Sequence, residues 1–204
     1  MKAKQIILFI IITIALTACG KSAFEQFNEA LAVGELSKAQ EYLVEVSDRT
    51  ELKQGALQLI RSYLSVGEVD KAIEVYENVT PWHKSRYDMK WNNGSYEQTV
   101  CKLLRKRLLK DGDYERAWEY YPLEYKDENY FENAQSRYAY LSDVVAEMCS
   151  KGKQEECRRF IENQLSWFVT YVDSSQGEYV ENVKTYFSSN VVRDKLNAQI
   201  DSSY

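Results

Sequence analysis

Three acidic side chains lie close together in the stretch DGDYERAWEYY, which runs from residue 111 to residue 121. Asp111, Asp113 and Glu115 stand at alternating positions, as the first oxygen ligands of a calcium-binding loop do. Such a loop also needs a glycine at its sixth position and a glutamate at its twelfth. Arg116 and Pro122 occupy those two places here, so the sequence does not support a calcium site.

The sequence offers no other pattern that is typical of an active site. The only histidine is His83, which excludes a cluster of histidine metal ligands. Glycine-rich phosphate loops and the nucleophile motif GxSxG do not occur. Adjacent acids such as Glu155 and Glu156 are typical of a solvated helix surface. The sequence therefore predicts a protein that is not an enzyme and that binds no metal or cofactor.

The first residues have the organisation of a signal peptide. Lys2 and Lys4 form a short basic region, and a nearly continuous apolar stretch follows from residue 6 to residue 18. This stretch has the length of the apolar region of a signal peptide. It is shorter than the roughly 20 apolar residues that a membrane-spanning helix needs. It ends in the sequence LTAC, whose cysteine is Cys19.

The sequence LTAC resembles the lipobox of bacterial lipoproteins, in which a leucine and two small residues precede the cysteine. The resemblance implies that residues 1–18 are a signal peptide and that Cys19 becomes the lipid-modified first residue. Two or more acyl chains hold a protein stably on a membrane. The residue that follows the cysteine is Gly20. It is not an aspartate, which at this position retains lipoproteins of enteric bacteria at the inner membrane. The alternative is an ordinary signal peptide or a plain anchor in which the cysteine occurs by chance.

The resemblance also implies a location in the cell envelope. In a Gram-negative host we expect the periplasmic face of the outer membrane, and otherwise the outer face of the plasma membrane. Without residues 1–18, 24 Lys and Arg stand against 31 Asp and Glu, a net charge of -7. That balance argues against nucleic acid as the partner, because nucleic-acid-binding domains are basic. With only 2 prolines in 204 residues, the composition favours helices.

Four segments of the sequence share one pattern around a glycine. Each glycine is followed five residues later by a small residue and nine residues later by a bulky one. The glycine suits the left-handed conformation that ends a helix, and the small residue permits two antiparallel helices to cross closely. In chain order the glycines are Gly34, Gly67, Gly112 and Gly152, the small residues Ala39, Ala72, Ala117 and Cys157, and the bulky residues Leu43, Tyr76, Tyr121 and Ile161.

An apolar stripe at helical spacing precedes each of these glycines, so each segment is predicted to be a helix, a tight turn and a second helix. The pattern resembles the tetratricopeptide repeat, which is about 34 residues long. The unit from Lys53 to Arg86 matches best. The signature tryptophan is missing from every unit, and the glycines are separated by 33, 45 and 40 residues, which requires insertions at 80–95 and 122–135.

The resemblance implies an all-α fold in which about four hairpins form a short right-handed solenoid over residues 19–172. Residues 173–204 belong to the same domain and are predicted to form one or two helices that cap the solenoid. The insertions at 80–95 and 122–135 each have room for a short extra helix. The alternative is a helical bundle of hairpins that is unrelated to the repeat family.

Three further cysteines follow Cys19, and no two of them have the CxxC spacing of a redox motif or a zinc site. Cys149 and Cys157 flank Gly152 on the two arms of a predicted hairpin. They are the candidate disulfide pair, provided that their Cα atoms lie within about 7 Å of each other. The alternative is that Cys157 is a free thiol, packed as a small residue at the helix crossing.

Nine aromatic residues occur between positions 114 and 140. Tyrosine and tryptophan dominate binding hot spots, so Trp118, Tyr120, Tyr125 and Tyr130 are candidate partner-binding residues. The alternative is that these rings fill helix contacts. We expect a membrane-anchored, non-enzymatic scaffold or adaptor that binds another envelope protein or peptide through its repeat surface. A lipoprotein that binds a small ligand or a glycan with region 114–140 is the alternative function.

Overall fold

The computed structural model describes residues 20–79, 96–121 and 130–203. Within these ranges the regular structure is entirely helical, which confirms the predicted all-α class. The chain divides into two compact units after Val79. Residues 1–18, which are predicted to be a signal peptide, lie outside the described residues, as do Cys19, the predicted insertion at 80–95 and residues 122–129 of the second predicted insertion.

Two helix hairpins build the first unit. Ser22 begins the first helix with a capping box, because its hydroxyl accepts a hydrogen bond from the Glu25 amide while the Glu25 carboxylate accepts one from the Ser22 amide. Each hairpin packs its two helices together, and the third helix also packs against the first and the second. The helices of this unit are α1 (Ala23–Ala32), α2 (Leu36–Val44), α3 (Arg49–Val66) and α4 (Val69–Val79).

One close contact in the first unit was not predicted from the sequence. Gly55 lies within α3, where a Cβ atom would be 2.7 Å from Leu43 Cδ1 and 3.2 Å from Phe27 Cε1. The absence of a side chain therefore allows α3 to approach α1 and α2 closely. The apolar stripe of α3 places Ala56 in the core, but it gives no reason to include the neighbouring glycine.

The second unit contains two more hairpins and a pair of closing helices. Helix α5 pairs with α6, and α7 pairs with α8, while α10 packs on both α7 and α8. Two helices, α9 and α10, occupy the stretch for which one or two closing helices are predicted. The elements are α5 (Tyr96–Asp111), α6 (Tyr114–Glu119), α7 (Tyr130–Ser150), α8 (Gln154–Phe168), a π-helical turn (Val169–Asp173), α9 (Glu178–Phe187) and α10 (Ser189–Asp201).

The glycine pattern predicted from the sequence is confirmed at all four hairpin turns. The turn glycines have positive φ angles, from +70° at Gly152 to +90° at Gly67. A left-handed backbone of this kind is strained for a residue that has a Cβ atom. The small residue that follows each glycine is 0 % exposed in every hairpin, and the bulky residue is at most 7 % exposed. Each glycine thus joins two helices that pack together, and the second helix of each pair buries the small side chain completely.

The hairpin of α5 and α6 departs from the prediction at its end. The pattern places Tyr121 on the second helix, but α6 ends at Glu119. Pro122 explains the early end, because the residue before a proline is disfavoured in the helical conformation. Tyr121 remains buried nevertheless, and its amide still donates to the Trp118 carbonyl at 3.1 Å.

Candidate functional site

The acidic cluster that opens the DGDYERAWEYY stretch joins two helices. Asp111 accepts a hydrogen bond from Arg107 Nε at 2.8 Å. Asp113 caps α6 by accepting from the Arg116 amide at 3.2 Å, and its other oxygen lies 2.6 Å from Arg116 Nε. Although partial burial opposes it, Arg116 lowers the pKa of the Asp113 carboxyl. In the ranges that the structure describes, no group of three or more acids, cysteines and histidines is arranged to hold a metal.

Cys149 and Cys157 lie beside each other as free, buried thiols. Burial, followed by contact with Cys149, raises the pKa of the Cys157 thiol to about 12. Cys157 is 0 % exposed, as expected of a small residue at the helix crossing. The structure contains the pair in the reduced state, and a disulfide between them stays a prediction.

Three rings of the second unit pack against one another, and we call Trp118, Tyr121 and Tyr140 the aromatic cluster. The ring centroids of Trp118 and Tyr140 are 5.2 Å apart, and those of Tyr121 and Tyr140 are 5.5 Å apart. The Tyr121 hydroxyl donates to Asp143 Oδ2 at 2.5 Å, and the Tyr140 hydroxyl donates to the Tyr114 carbonyl at 3.1 Å. The hydroxyls of both buried tyrosines therefore have acceptors.

Two arginines lie over the rings of the aromatic cluster. Arg137 Cζ is 4.6 Å from the Trp118 centroid and 5.4 Å from the Tyr140 centroid. Arg105 Cζ is 4.7 Å from the Tyr121 centroid. These distances permit cation–π attraction, and burial lowers the pKa of the Arg137 guanidinium. Arg137 therefore covers one face of the Trp118 ring, and Arg105 covers one face of the Tyr121 ring.

The candidate partner-binding residues have different places in the structure. Trp118 is half-buried beneath Arg137. Tyr120 is 7 % exposed, which leaves little surface for a partner. Tyr125 lies outside the described residues, and Tyr130 is the first residue of α7, although its side chain is not described. The structure brings Trp118, but not Tyr120, into the aromatic cluster.

A surface groove with a volume of about 410 Å³ lies between α5 and α7, and we call it the α5–α7 groove. On each helix the lining residues fall at positions i, i+3, i+4 and i+7. Each helix therefore contributes one face that extends over about two turns, roughly 10 Å. The α5 wall consists of Lys102, Arg105, Lys106 and Leu109, and the α7 wall of Asp143, Ala146, Glu147 and Ser150.

The two walls of the α5–α7 groove differ in charge. Within the described part of the chain, none of the three cations of the α5 wall forms an ion pair. The acids of the α7 wall do have partners, because Glu147 lies 3.0 Å from Lys151 Nζ and Asp143 accepts from the Tyr121 hydroxyl. Lys151 also donates to the Lys110 carbonyl at 2.7 Å, which joins the ends of α5 and α7.

The α5–α7 groove was not identified from the sequence. One sequence feature points to its basic wall, since five of the nine residues from 102 to 110 are Lys or Arg in an otherwise acidic chain. A charge run of this kind is usually a solvated helix face. The second wall lies about 40 residues further along the chain, and no local pattern predicts that α7 packs beside α5.

No protein-family model matches the chain, and comparisons with curated proteins and with solved structures found no match either. Among the helices that the structure describes, none combines the length and the apolar character that crossing a membrane requires. The interpretation of the groove therefore depends on its own geometry and charge.

Proposed function

We propose that this chain is a non-enzymatic adaptor lipoprotein that binds another envelope protein or peptide through its helical surface. The observation that supports this proposal most directly is the α5–α7 groove. Its two helices present parallel stripes of side chains, and the cations of one stripe have no ionic partner among the described residues. A groove between two helices is a common binding site for a segment of another protein.

The proposed arrangement of the hairpins is a short right-handed solenoid of the tetratricopeptide type, capped by residues 173–204. Each unit supports it separately, because both contain two hairpins that share a turn glycine and a fully buried small residue. Repeat solenoids use extended surfaces to bind other proteins.

The proposed anchor is a lipid on Cys19, which would place the groove at a membrane surface. Metabolic labelling with an alkyne fatty acid tests it, since the wild-type chain should carry the label and fractionate with membranes. The Cys19→Ser variant should lose the label and leave the membrane fraction. A serine variant that kept both properties would contradict lipidation at this residue.

The alternative function, binding of a small ligand or a glycan by region 114–140, has less support from the described residues. Sugars bind proteins largely by stacking on open aromatic faces. In the aromatic cluster, Arg137 covers Trp118 and Arg105 covers Tyr121. We therefore retain protein binding as the proposed function.

Capture from detergent-solubilised membranes tests the binding function. The bait is the lipidated chain, compared with its Lys106→Glu and Arg159→Glu variants, and bound proteins are quantified by mass spectrometry. Arg159 is a matched control because it is an exposed cation on α8 with no ion pair among the described residues. We expect a specific partner to be lost with Lys106→Glu and kept with Arg159→Glu. Equal recovery with all three baits, or no specific partner, would contradict the proposal.

A further inference from the structure

We propose that the α5–α7 groove binds an acidic amphipathic helix of the partner protein. This inference rests on the proposed function and adds the chemistry of the partner to it. Three properties of the groove support it: cations that form no ion pair with the described residues, the spacing of the lining side chains and the difference in charge between the two walls.

The cations of the α5 wall define the charge of the partner. Lys102 and Lys106 are exposed and lie one helical turn apart, with Arg105 half-buried between them. None of the three has a carboxylate partner among the described residues. Carboxylates placed along this wall would each meet a cation that forms no ion pair with any of the described residues. Complementary charge of this kind fixes orientation and increases the rate of association.

The spacing of the lining residues defines the shape of the partner. On α5 they fall at positions 102, 105, 106 and 109, and on α7 at 143, 146, 147 and 150. Both series follow the i, i+3, i+4, i+7 rule that places residues on one helix face. The exposed Ala146 lies between Asp143 and Glu147 on the α7 wall and supplies an apolar contact, whereas Leu109, which is 7 % exposed, contributes little surface. A helix that fills such a groove presents its own apolar and acidic residues at the same spacing.

The charge of the α7 wall favours a helix over a phosphate group or an anionic membrane surface. Asp143 and Glu147 face the groove from the side opposite the cations. An anion without directionality, or a flat layer of lipid headgroups, would meet these carboxylates together with the cations. A helix can place its acids along the α5 wall only and turn neutral or basic residues towards α7.

Fluorescence anisotropy of a labelled peptide tests the inference with the full-length chain in a neutral detergent. The probe is a synthetic helix of about 18 residues, long enough to be helical in isolation, with glutamates on one edge of a leucine and alanine face. A second peptide has glutamine in place of every glutamate. We expect the glutamate peptide to bind about tenfold more tightly at low salt, and this preference to shrink as salt screens exposed charges.

Single charge reversals locate the binding site. Lys102→Glu and Lys106→Glu should each weaken binding of the glutamate peptide by about three- to tenfold, because attraction becomes repulsion at one position. Arg159→Glu changes the net charge of the chain equally and should leave the affinity within about twofold. Circular dichroism of all three variants checks that the helices remain folded. Equal weakening by Arg159→Glu would overturn the inference, since it would show a response to overall charge.

Other occupants of the groove give different results. Equal affinity for the glutamate and glutamine peptides would show that the groove does not select acidic partners. Preferential binding to vesicles of anionic phospholipid, lost with Lys106→Glu, would assign the cations to a membrane surface. Self-association of the chain that is lost with Lys106→Glu would identify a second copy as the occupant. Each of these results would overturn the inference.

The peptide experiment and the capture experiment fail in different ways. If capture yields a partner that depends on Lys106 but the peptides show no preference for glutamate, adaptor function stands and the inferred chemistry is wrong. If the glutamate peptide binds at Lys106 but membranes yield no partner, the groove chemistry stands and the adaptor function is wrong.

Discussion

The buried tyrosines of the aromatic cluster link single residues to the stability of the second unit. Burial, followed by the hydrogen bond to Asp143, raises the pKa of Tyr121 above its ordinary value of 10.0. Burial raises the pKa of Tyr140 to about 12. The folded chain therefore keeps both phenols protonated at a pH where the unfolded chain releases the protons. This contribution to stability is complete below pH 10 and is lost as the pH rises towards the folded-state pKa values.

We predict that the free energy of unfolding falls steeply above about pH 10, by up to roughly 1.4 kcal/mol per pH unit for each such group. Burial raises the pKa of the Cys157 thiol from 9.0 to about 12. The loss of stability should therefore begin near pH 9, about one pH unit below the loss that is due to the tyrosines. Urea unfolding monitored by circular dichroism, repeated at several pH values between about 8 and 11, measures this decline in the free energy of unfolding.

Tyr121→Phe should lower stability at neutral pH by about 1–2 kcal/mol, because it removes a buried hydrogen bond, and should make the alkaline decline less steep. Tyr171→Phe, at a ring that is 52 % exposed, is the control and should leave the profile unchanged. Wild-type stability that stayed constant to pH 11 would disagree with the burial of these hydroxyls.

The sequence did not predict the surroundings of the candidate partner-binding residues. Trp118 and Tyr120 are candidates because tyrosine and tryptophan dominate binding hot spots, but residue type does not determine whether a ring faces a partner. In the structure Trp118 lies under Arg137, a residue of another helix that is 19 positions further along the sequence. No local spacing predicts that contact, because it depends on how α6 and α7 pack.

The helix hairpin is the element that the sequence predicts best. Its glycine, its small crossing residue and its bulky residue lie within ten positions of one another, so local chemistry determines the turn and the contact together. In the fourth hairpin the crossing residue is Cys157, where the other three have alanine. The four crossings should therefore tolerate similar side-chain volumes.

Exchange of the crossing residue tests this equivalence. Cys157→Ala should change the free energy of unfolding by no more than about 1 kcal/mol, because only one sulfur atom is removed from the core. Cys157→Leu should cost about 2 kcal/mol or more, because the closely packed helices must separate. Thermal and urea unfolding of the reduced chain measure both variants. A leucine variant as stable as the alanine variant would show that the helices do not cross closely here.

The turn glycines provide a second test at the scale of the element. Gly67 has φ +90°, so Gly67→Ala should destabilise the first unit by about 1–2 kcal/mol. Gly67→Asn should cost less, because asparagine tolerates the left-handed conformation better. Gly20→Ala, which lies before α1 and has no atom near its added Cβ, should be nearly neutral. Equal stabilities of the two Gly67 variants would contradict a left-handed turn.

Longer-range structure depends on contacts that the sequence pattern does not encode. The repeat pattern locates α5 and α7 by their glycines, which are 40 residues apart. It does not predict that Lys102, Arg105 and Lys106 lie across a groove from Asp143 and Glu147. The basic residues of α5 can be identified in the sequence. That they form one wall of a groove follows only from the packing of α7 beside α5.

At the scale of the whole molecule, charge and anchoring act together. Residues 19–204 have a net charge of -7, and within the described residues the α5–α7 groove places a basic wall on this mainly acidic chain. A lipid on Cys19 would hold that groove near a membrane, where its partner is at a high effective concentration. Both properties are needed for the proposed adaptor function, and neither depends on catalytic chemistry.

Site-specific photo-crosslinking in living cells tests the adaptor function most directly. A photo-reactive amino acid replaces Lys106 in the α5–α7 groove or, as the control, Arg159 on α8, and cross-linked proteins are identified by mass spectrometry. We predict one dominant envelope protein cross-linked from position 106 and absent at position 159, with an acidic helix at the cross-linked site. The same products from both positions, or none from position 106, would contradict the groove as a binding site.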